Sequence, residues 1–277
     1  MIAALEARIN GYGARAVVAL SGGVDSSAVV ALAAGALGAE SVIAVTAESP
    51  SFAAGELESA ARVADGLGVA HRVVRTHELE REAYARNDAM RCYHCKAELY
   101  ATLSRVVSIA SPGSTVLAGA NADDLDDFRP GLWAGERAGV RNPLLEEGIG
   151  KDDVRAIAGA LGLPTADKPA LACLSSRIQQ GIRVTPELLE RIDRAERIVR
   201  ALGFEIVRLR HRGHAAAIEV DAGEVQRLRD HPRLASALTE IRGLGWRSVE
   251  VESAGYRQGG ANRRVDRYAT PITFQGA

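Results

Sequence analysis

The chain has few aromatic residues, few cysteines and no long apolar run. Phe, Trp and Tyr make up 4% of its 277 residues although 47% are hydrophobic, so alanine, leucine and valine must fill the core. No apolar run reaches the roughly 18 residues of a membrane-spanning helix, and Glu6 and Arg8 interrupt any signal-peptide pattern. The three cysteines are an odd number without a secretion signal, so we expect reduced thiols and a cytoplasmic protein.

The net charge is also small, −1 at pH 7, which argues against nucleic acid as a partner. The charges are unevenly divided along the chain. Residues 1–170 carry 16 basic and 22 acidic side chains, whereas residues 171–277 carry 18 basic and 13 acidic ones and no lysine. Arginine suits carboxylates and phosphates because it donates two parallel hydrogen bonds. A solvated basic surface would give the same composition, so both interpretations stay open.

The segment Val17–Ser27 carries the strongest functional signal. Its first apolar residues predict a buried parallel strand, and a helix follows the loop Ser21-Gly22-Gly23-Val24-Asp25-Ser26. The paired glycines let backbone N–H groups approach a ligand, and the first helical turn adds partial positive charge, so the loop predicts a phosphate site. Asp25 would repel phosphate unless a divalent cation lay between them. We therefore predict that Asp25 binds Mg²⁺.

This loop differs from the common nucleotide-binding motifs. It lacks the lysine of Gly-x-x-x-x-Gly-Lys-[Ser/Thr], and it is not Gly-x-Gly-x-x-Gly. Ser-Gly-Gly-x-Asp-Ser resembles the pyrophosphate loop of the N-type ATP pyrophosphatases. That resemblance implies cleavage of ATP between the α and β phosphates and transfer of AMP to an acyl or carbonyl oxygen. A glycine turn that binds nothing is the alternative, and the flanking strand and helix argue against it.

Strands and helices alternate through residues 1–170, which predicts an α/β fold with a doubly wound parallel sheet. Ligands bind such sheets at the carboxyl ends of the strands, so we place the adenosine of ATP near Ala47. Residues 171–277 predict a smaller α+β domain. The predicted strands are 16–20, 41–47, 71–75, 115–119, 205–209, 217–220 and 248–252, and the predicted helices are 26–37, 53–67, 94–109, 151–161, 186–202, 223–228 and 234–244.

The segment Asn121–Asn142 reads as a loop that leaves the fourth strand at its carboxyl end. It opens with four acids in five residues, Asp123, Asp124, Asp126 and Asp127. These carboxylates repel one another unless magnesium, arginine or solvent intervenes. A role near the phosphates and a solvated loop are both open.

The cysteines form the second functional signal. Arg91-Cys92-Tyr93-His94-Cys95-Lys96 begins a predicted helix, so Cys92 and Cys95 share one face with about 5–6 Å between Cβ atoms, and their basic neighbours favour thiolate. Cys173 lies in the irregular segment 164–181. Inert thiols, zinc with His94 as fourth ligand, a redox dithiol and an iron–sulfur cluster all remain open. Three thiolates would leave one iron of a cluster open to hydrosulfide, which fits sulfur transfer.

The combination of motifs resembles the LarE family of ATP-dependent sulfur transferases, which help to make the nickel-pincer nucleotide cofactor. The likeness covers nearly the whole chain, and the segment around Cys173 makes it specific. The motifs that carry it are Ser21-Gly-Gly-Val-Asp-Ser26, Arg91-Cys-Tyr-His-Cys-Lys96, Gly119-Ala-Asn-Ala-Asp-Asp124, Arg129-Pro-Gly131, Lys168-Pro-Ala-Leu-Ala-Cys-Leu-Ser-Ser-Arg177 and Gly255-Tyr-Arg257.

The resemblance implies a substrate, pyridinium-3,5-biscarboxylic acid mononucleotide. ATP would adenylate one of its carboxylates, and sulfur would displace AMP to give a thiocarboxylate. In one branch of the family the cysteine matching Cys173 gives up its own sulfur, and in the other three cysteines hold a 4Fe-4S cluster with an extra sulfide. Because this chain has Cys92, Cys95 and Cys173, we predict the cluster branch, with ATP, Mg²⁺ and the 4Fe-4S cluster as cofactors.

The resemblance also suggests further site residues. Arg177 would contact the substrate phosphate, and Arg208 and Arg210, which alternate along a predicted strand, could clamp a phosphate or carboxylate from one side. A basic exposed face is the alternative for this pair. For Glu196 a metal or substrate contact competes with a helix-surface salt bridge, and Tyr256 and Arg257 could serve binding or packing. The resemblance suggests a homo-oligomer, of which a hexamer is one form, and possible contacts with other enzymes of the pathway.

Three other functions stay open from the sequence. A tRNA thiolase would use the same loop and cysteines, but no added RNA module is evident. An amidotransferase-like ligase would need an ammonia source, and no glutaminase domain is visible. A non-catalytic ATP sensor would bind ATP without releasing pyrophosphate and would not need the cysteines.

Overall fold

In the computed structural model, which describes residues 1–53, 55–126, 128–169 and 172–256, the strands form two separate sheets. The first sheet is four-stranded and entirely parallel, in the order β3-β2-β1-β4, and the second is three-stranded, in the order β5-β6-β7. The strands are β1 Ala16–Ala19, β2 Val42–Glu48, β3 Ala70–Arg75, β4 Thr115–Leu117, β5 Val207–Arg212, β6 Ala215–Val220 and β7 Ser248–Val251.

Helices cover both faces of the first sheet, which confirms the predicted α/β fold with a doubly wound parallel sheet. The helices are α1 Ile2–Asn10, α2 Val24–Leu37, α3 Glu56–Gly66, α4 Glu82–Ala85, α5 Arg91–Ala110, α6 Pro130–Arg137, α7 Pro143–Glu146, α8 Lys151–Ala160, α9 Pro186–Arg200, α10 Val225–Arg229 and α11 Leu234–Gly243. Within the described residues, none of these helices combines the length and apolar character that crossing a bilayer requires.

The central strand β1 fixes the position of the loop of residues 21–26, which we call the phosphate loop after its predicted ligand. Val17 pairs with Ile43 of β2 and Val116 of β4, so β1 has a parallel neighbour on each side. Val17 is fully buried, as expected for a strand covered on both faces. Because β1 ends at Ala19, the loop that follows lies at the carboxyl edge of the sheet, where such folds bind ligands.

Small apolar residues let α2 pack deep in the core. Nine residues of this helix are buried, and most are Ala or Val, so its backbone can approach the sheet and its neighbours closely. Helices α1 and α8 pack against α2. On the opposite face of the sheet, α5 carries Leu103 into a second apolar cluster with Val17. Alanine and valine thus replace the missing aromatic residues, as the composition predicts.

The second sheet forms the core of the carboxy-terminal unit, with β5 and β6 antiparallel and β6 and β7 parallel. Helix α9 packs against β5. Its start has the predicted signals, since Pro186 is its first residue and the hydroxyl of Thr185 accepts a hydrogen bond from the N–H of Leu188 at 3.2 Å. The α+β character predicted for this part matches the observed elements.

A buried hydroxyl cluster joins the two parts of the chain. Tyr84, which precedes α5, packs in the core of the carboxy-terminal unit. Its hydroxyl lies 2.7 Å from Ser51 Oγ and 2.6 Å from Ser175 Oγ. The predicted boundary between residues 170 and 171 lies outside the described residues and stays a prediction, but the segment around Tyr84 belongs to the second core.

The segment Asn121–Asn142 is not the open loop that we predicted. A 3-10 turn spans Ala122–Asp126, and α6 occupies Pro130–Arg137, packed against α5. Pro130 at the first position of α6 is a helix-start signal, and Ala134 is buried against the sheet side of α5. Helix α1 was also absent from the prediction, although Leu5 and Ile9, four residues apart, are its buried residues.

Candidate active site

Backbone geometry and serine hydroxyls shape the phosphate loop. The Ser21 N–H donates to Ser26 Oγ at 3.1 Å, and the Ser26 hydroxyl donates to the Gly23 carbonyl at 3.1 Å. Gly22 has a φ of +77°, and a Cβ added there would lie 2.6 Å from the Glu56 carbonyl oxygen. Glycine is therefore required at position 22 by both its backbone angle and its close approach to α3.

Three elements meet at Asp25, in the first turn of α2. Asn121, after β4, donates from Nδ2 to Asp25 Oδ1 at 2.9 Å, and Lys151, at the start of α8, donates from Nζ to Asp25 Oδ2 at 2.5 Å. Lys151 is itself fixed, because its backbone N–H donates to Asp123 Oδ2 at 3.0 Å. The carboxylate is thus held beside the phosphate loop with a cation against it.

The surroundings of Asp25 fit a magnesium ion by donor chemistry. Mg²⁺ prefers oxygen ligands and is commonly bound through one or two carboxylates together with substrate phosphates. Asp25 supplies one carboxylate, and a magnesium ion would have to share it with the Lys151 ammonium, which pairs with Oδ2 at 2.5 Å. Within the described parts of the chain, no three His, Cys, Asp or Glu side chains are grouped so that they could hold one metal ion. Magnesium at Asp25 stays a prediction.

A second lysine lies on the other side of the phosphate loop. The Lys168 ammonium donates to the Gly22 carbonyl at 2.8 Å and to Ser59 Oγ at 2.8 Å, and it lies 2.8 Å from Glu56 Oε1. The side chains of Lys168 and Glu56 are only 19% and 9% exposed, so this ion pair is largely shielded from water. Lys168 therefore ties the chain before Cys173 to the loop.

The three cysteines carry free thiols, and the charges of Cys173 and Cys92 both act on the Cys95 thiol. Cys92 and Cys95 are in the first turns of α5, and Cys173 precedes the 3-10 turn Leu174–Arg177. Burial is the main cause that raises the pKa of the Cys95 thiol to about 12, and the nearby Cys173 and Cys92 act in the same direction while Lys96 opposes them. Thiolate is the donor that iron–sulfur clusters use, so the donor type fits a cluster. The raised pKa of Cys95 is, however, opposite to the thiolate that its basic neighbours led us to expect, and the cluster stays a prediction.

Arg177 does not reach out toward a substrate phosphate, in contrast to our expectation. Its side chain is 0% exposed, and its Nε donates to Glu196 Oε1 at 2.9 Å. Its Nη1 donates to the carbonyls of Ala172 and Cys173, the latter at 3.0 Å. Arg177 thus fixes the backbone on which the Cys173 thiol is carried. Burying a guanidinium costs free energy unless its N–H groups find acceptors, which explains the full set of partners.

Glu196 lies in the interior rather than on a helix surface. It is 0% exposed, accepts from Arg200 Nη2 at 2.6 Å as well as from Arg177, and accepts from the Leu209 N–H at 3.0 Å. A helix-surface salt bridge was one of our two interpretations, and the burial contradicts it. The carboxylate links α9, β5 and the turn after Cys173.

Arg208 and Arg210 lie two residues apart on β5, so they share one face of the strand as predicted. Arg208 is 1% exposed, and its guanidinium lies 5.1 Å from the Tyr256 ring centre. Burial, followed by the charge of Arg177, lowers the pKa of Arg208 to about 10, and Glu196 opposes this. Arg210 pairs with Glu219 at 2.9 Å and donates to the Ser176 carbonyl at 3.0 Å.

Comparison with known proteins agrees with this geometry. A family model described as asparagine synthase matches residues 13–117, the part that contains the phosphate loop. A pyridinium-3,5-bisthiocarboxylic acid mononucleotide synthase of Lactiplantibacillus plantarum is 34% identical over 250 residues, which cover 90% of this chain and 89% of that protein. The chain belongs to the LarE family. As a LarE protein it is an ATP-dependent sulfurtransferase.

Two further relatives differ in how much of the chain they match. An uncharacterized protein of Synechocystis sp. is 41% identical over 249 residues, covering 90% of this chain and 92% of that protein. An NH₃-dependent NAD⁺ synthetase of Chlorobaculum tepidum is 30% identical over 173 residues, covering 61% of each chain. The first similarity extends over both parts of the fold, whereas the second covers less than two thirds of it.

The acids near this LarE phosphate loop have local structural partners. Asp124 pairs with Arg129 at 3.1 Å and accepts from the Asn121 N–H at 3.2 Å. Asp123 accepts from the first backbone N–H of α8, where the helix dipole favours a negative charge. Arginine and a helix end therefore relieve the repulsion between these two acids. Asp127 and the Asp126 side chain lie outside the described residues, as does Arg257.

Sequence reasoning missed the role of the lysines. The chain has 31 arginines and only three lysines, Lys96, Lys151 and Lys168. Lys96 follows Cys95, and the other two contact the phosphate loop. Lysine offers a compact point charge where arginine offers a planar fork, so the few lysines in an arginine-rich chain were the available signal. Ala47, predicted near adenosine, lies at the carboxyl end of β2 beside the same edge.

Proposed function

We propose that this LarE protein adenylates a carboxylate of pyridinium-3,5-biscarboxylic acid mononucleotide and converts it to a thiocarboxylate. The coarse activity, ATP-dependent sulfur transfer in nickel-pincer cofactor biosynthesis, follows from the family. The substrate is the biscarboxylic acid that corresponds to the bisthiocarboxylic product named for the Lactiplantibacillus plantarum relative. The observation that carries the proposal is the meeting of Asp25, Asn121 and Lys151 beside the phosphate loop.

In the first step a carboxylate oxygen of the substrate attacks the α-phosphorus of ATP. The bond from that phosphorus to the bridging oxygen breaks, pyrophosphate leaves, and an acyl-adenylate forms. The N–H groups around Gly22 and Gly23 and the Lys151 ammonium would stabilise the charge that develops on pyrophosphate, and each such donor is worth roughly 3–4 kcal/mol in comparable sites. Magnesium bound at Asp25 would neutralise phosphate charge.

In the second step sulfur attacks the carbonyl carbon, and AMP leaves with the electrons of the carbon–oxygen bond. Activation is needed because a carboxylate is a poor electrophile, whereas AMP is a good leaving group. A 4Fe-4S cluster held by Cys92, Cys95 and Cys173 would supply sulfide and permit repeated turnover. The alternative is that the Cys173 thiol displaces AMP to form a thioester. A base then removes the Cα proton of Cys173, the Cα=Cβ double bond forms and the Cβ–Sγ bond breaks, which releases the thiocarboxylate, leaves dehydroalanine and allows one turnover.

The exposure of Cys173 supports either sulfur source. Its side chain is exposed while its carbonyl is held by Arg177 at 3.0 Å. A thiol on a fixed backbone can be presented repeatedly in one geometry, and misplacement of reacting groups by about 1 Å can cost about 100-fold in rate. The role proposed for Arg177 is therefore to position Cys173.

The first step is tested by changing Asp25→Asn. We expect pyrophosphate release from ATP, with the biscarboxylic substrate present, to fall at least about 100-fold. The reason is that the magnesium ion that would neutralise the phosphate charge loses its carboxylate ligand. Asp153→Asn is the matched control, since Asp153 is an exposed acid in the first turn of α8. Circular dichroism shows whether both variants fold. Undiminished pyrophosphate release in the Asp25 variant would remove the proposed role.

The sulfur source is tested on protein prepared without oxygen. The cluster predicts about four irons per chain and a brown colour, with repeated turnover that is lost in Cys92→Ser. Iron-free protein whose mass falls by one sulfur per turnover would instead identify Cys173 as the sacrificial donor. The two outcomes exclude each other, so one preparation distinguishes the branches.

A further inference from the structure

Two anchors hold the chain on either side of Cys173. On the amino-terminal side, Lys168 binds the phosphate loop, and its own carbonyl accepts from Arg155 Nη2 at 3.0 Å. On the carboxy-terminal side, the Leu174 N–H donates to the Ser51 carbonyl at 2.9 Å, and Arg177 binds the Cys173 carbonyl. The cysteine therefore lies between the ATP-binding part and the carboxy-terminal core.

The amino-terminal anchor depends on charge as well as on hydrogen bonding. Lys168 lies between the Gly22 carbonyl and the Glu56 carboxylate, both at 2.8 Å. Glu56 is 7% exposed and Ser59, a third partner, is 6% exposed. Removal of the ammonium would leave a shielded carboxylate unpaired, which is destabilising because its charge loses both solvent and its partner. This anchor is a specific contact rather than a surface ion pair.

The distance along the chain makes the anchor relevant to sulfur. Cys173 lies five positions after Lys168, so their Cα atoms lie at most roughly 17–18 Å apart in any conformation. A change at the phosphate loop can therefore reach Cys173 through a short tether.

We propose that Lys168 is a positioning residue that couples the phosphate loop to the placement of Cys173. The contact sets where the Cys173 thiol lies relative to the acyl-adenylate formed at the loop. Loss of the contact leaves adenylation possible but leaves the Cys173 segment held mainly from its carboxy-terminal side, so that more of the adenylate is lost to water before sulfur arrives. This inference rests on the proposed function and adds a residue that the sulfur-transfer step requires.

The test is Lys168→Met, which keeps the length of the side chain and removes its charge. We expect thiolated product per pyrophosphate released to fall at least about tenfold, because misplaced reacting groups lose rate steeply. We also expect amide hydrogen exchange in peptides spanning 172–178 to become at least about threefold faster in the absence of ATP, because a local anchor is gone. A structural role confined to the loop would change neither the ratio nor the exchange at 172–178.

A second variant approaches the same contact from the other side. Glu56→Gln removes the charge that pairs with Lys168 and should shift both readouts in the same direction by a smaller amount. The matched control is Glu58→Gln, an exposed acid on the same helix, which should behave as the unmodified protein does. If Lys168→Met fails to fold, the Glu56 variant carries the test.

The outcomes separate this inference from the proposed function. An unchanged product-to-pyrophosphate ratio together with unchanged exchange at 172–178 would overturn the coupling role of Lys168. A fall in pyrophosphate and product in equal proportion, without faster exchange, would also overturn it, since Lys168 would then act on ATP alone. If the unmodified protein releases no pyrophosphate, the proposed function fails, while the exchange comparison still decides whether Lys168 anchors Cys173.

Discussion

Replacement of the buried carboxylate Glu196 tests how the carboxy-terminal core tolerates charge. Glu196→Leu removes the acceptor of Arg177 and of the Leu209 N–H, both in the interior. Breaking a buried ion pair by removing one partner costs about 3–5 kcal/mol, because the other charge stays buried without compensation. That is a large part of the roughly 5–15 kcal/mol that stabilises a typical domain, so we expect marginal folding of this variant.

The paired replacement Arg177→Met with Glu196→Leu should recover much of the loss. Both interior charges then disappear together, and a hydrophobic pair of similar size is often neutral or better than the ion pair. The pKa of Arg208 should change little, because Arg177 lowers it while Glu196 raises it, and the two effects are removed together. The Leu209 N–H still loses its acceptor, at about 1–3 kcal/mol. We expect the free energy of unfolding of the double variant to be about 2 kcal/mol higher than that of Glu196→Leu.

Urea unfolding followed by tryptophan fluorescence measures this difference. Trp246 is 3% exposed in the carboxy-terminal core, whereas Trp133 is 48% exposed, so the transition of Trp246 reports the altered region. The double variant should fold but stay deficient in sulfur transfer, because the carbonyls of Ala172 and Cys173 lose the Arg177 donor. A double variant no more stable than Glu196→Leu would refute the reasoning about paired charges.

Two further predictions concern other parts of the fold. A hydrogen bond from Arg141 lowers the pKa of Glu146 to about 2. The stabilisation from this pair is therefore present above the ordinary glutamate pKa of 4.5 and is lost as the pH falls toward 2. Glu146→Gln should lower the free energy of unfolding by about 1 kcal/mol at neutral pH, a value reduced for solvent exposure, and by almost nothing near pH 2. Urea midpoints at both pH values check this, and a pH-independent difference would contradict it. Asn87 has a φ of +59° and donates from Nδ2 to the Gln179 and Ile182 carbonyls at 2.9 Å each. Asn87→Ala should be less stable than Asn87→Gly by about 1 kcal/mol in thermal unfolding, and both less stable than Asn87, since only glycine tolerates that backbone angle at no cost; the reverse order of the two variants would be inconsistent with strain at this residue.

Local patterns were enough to predict the sheet and the phosphate loop. The composition of an apolar run such as Val17–Leu20 is enough to indicate a buried strand. Thr185 followed by Pro186 indicates the start of α9. Strand β5 spans Val207–Arg212, whereas we predicted residues 205–209, two to three residues too early. Helix α6 was missed because the acids before it suggested a loop, although Pro130 marked its start.

The site residues that the sequence did not predict depend on distant partners. Asp25 and Lys151 are 126 positions apart, and Lys168 and Gly22 are 146 apart. No local pattern encodes such a pairing, which exists only once α8 has packed against α2. Arg177 shows the same limit, since its burial beside Glu196 converts an expected ligand contact into a backbone support. The sulfur source and the oligomeric state stay predictions.

The scarcity of lysine confines the side-chain amines of this protein to three positions. Amine-selective reagents such as acylating labels and short cross-linkers ordinarily scatter over a protein surface, but here the side-chain amines are Lys96, Lys151 and Lys168. Apart from the amino terminus, every acylation event falls beside the phosphate loop or the cysteines. Protection of these amines by a bound nucleotide would therefore map ligand occupancy by intact mass alone, without any engineered probe.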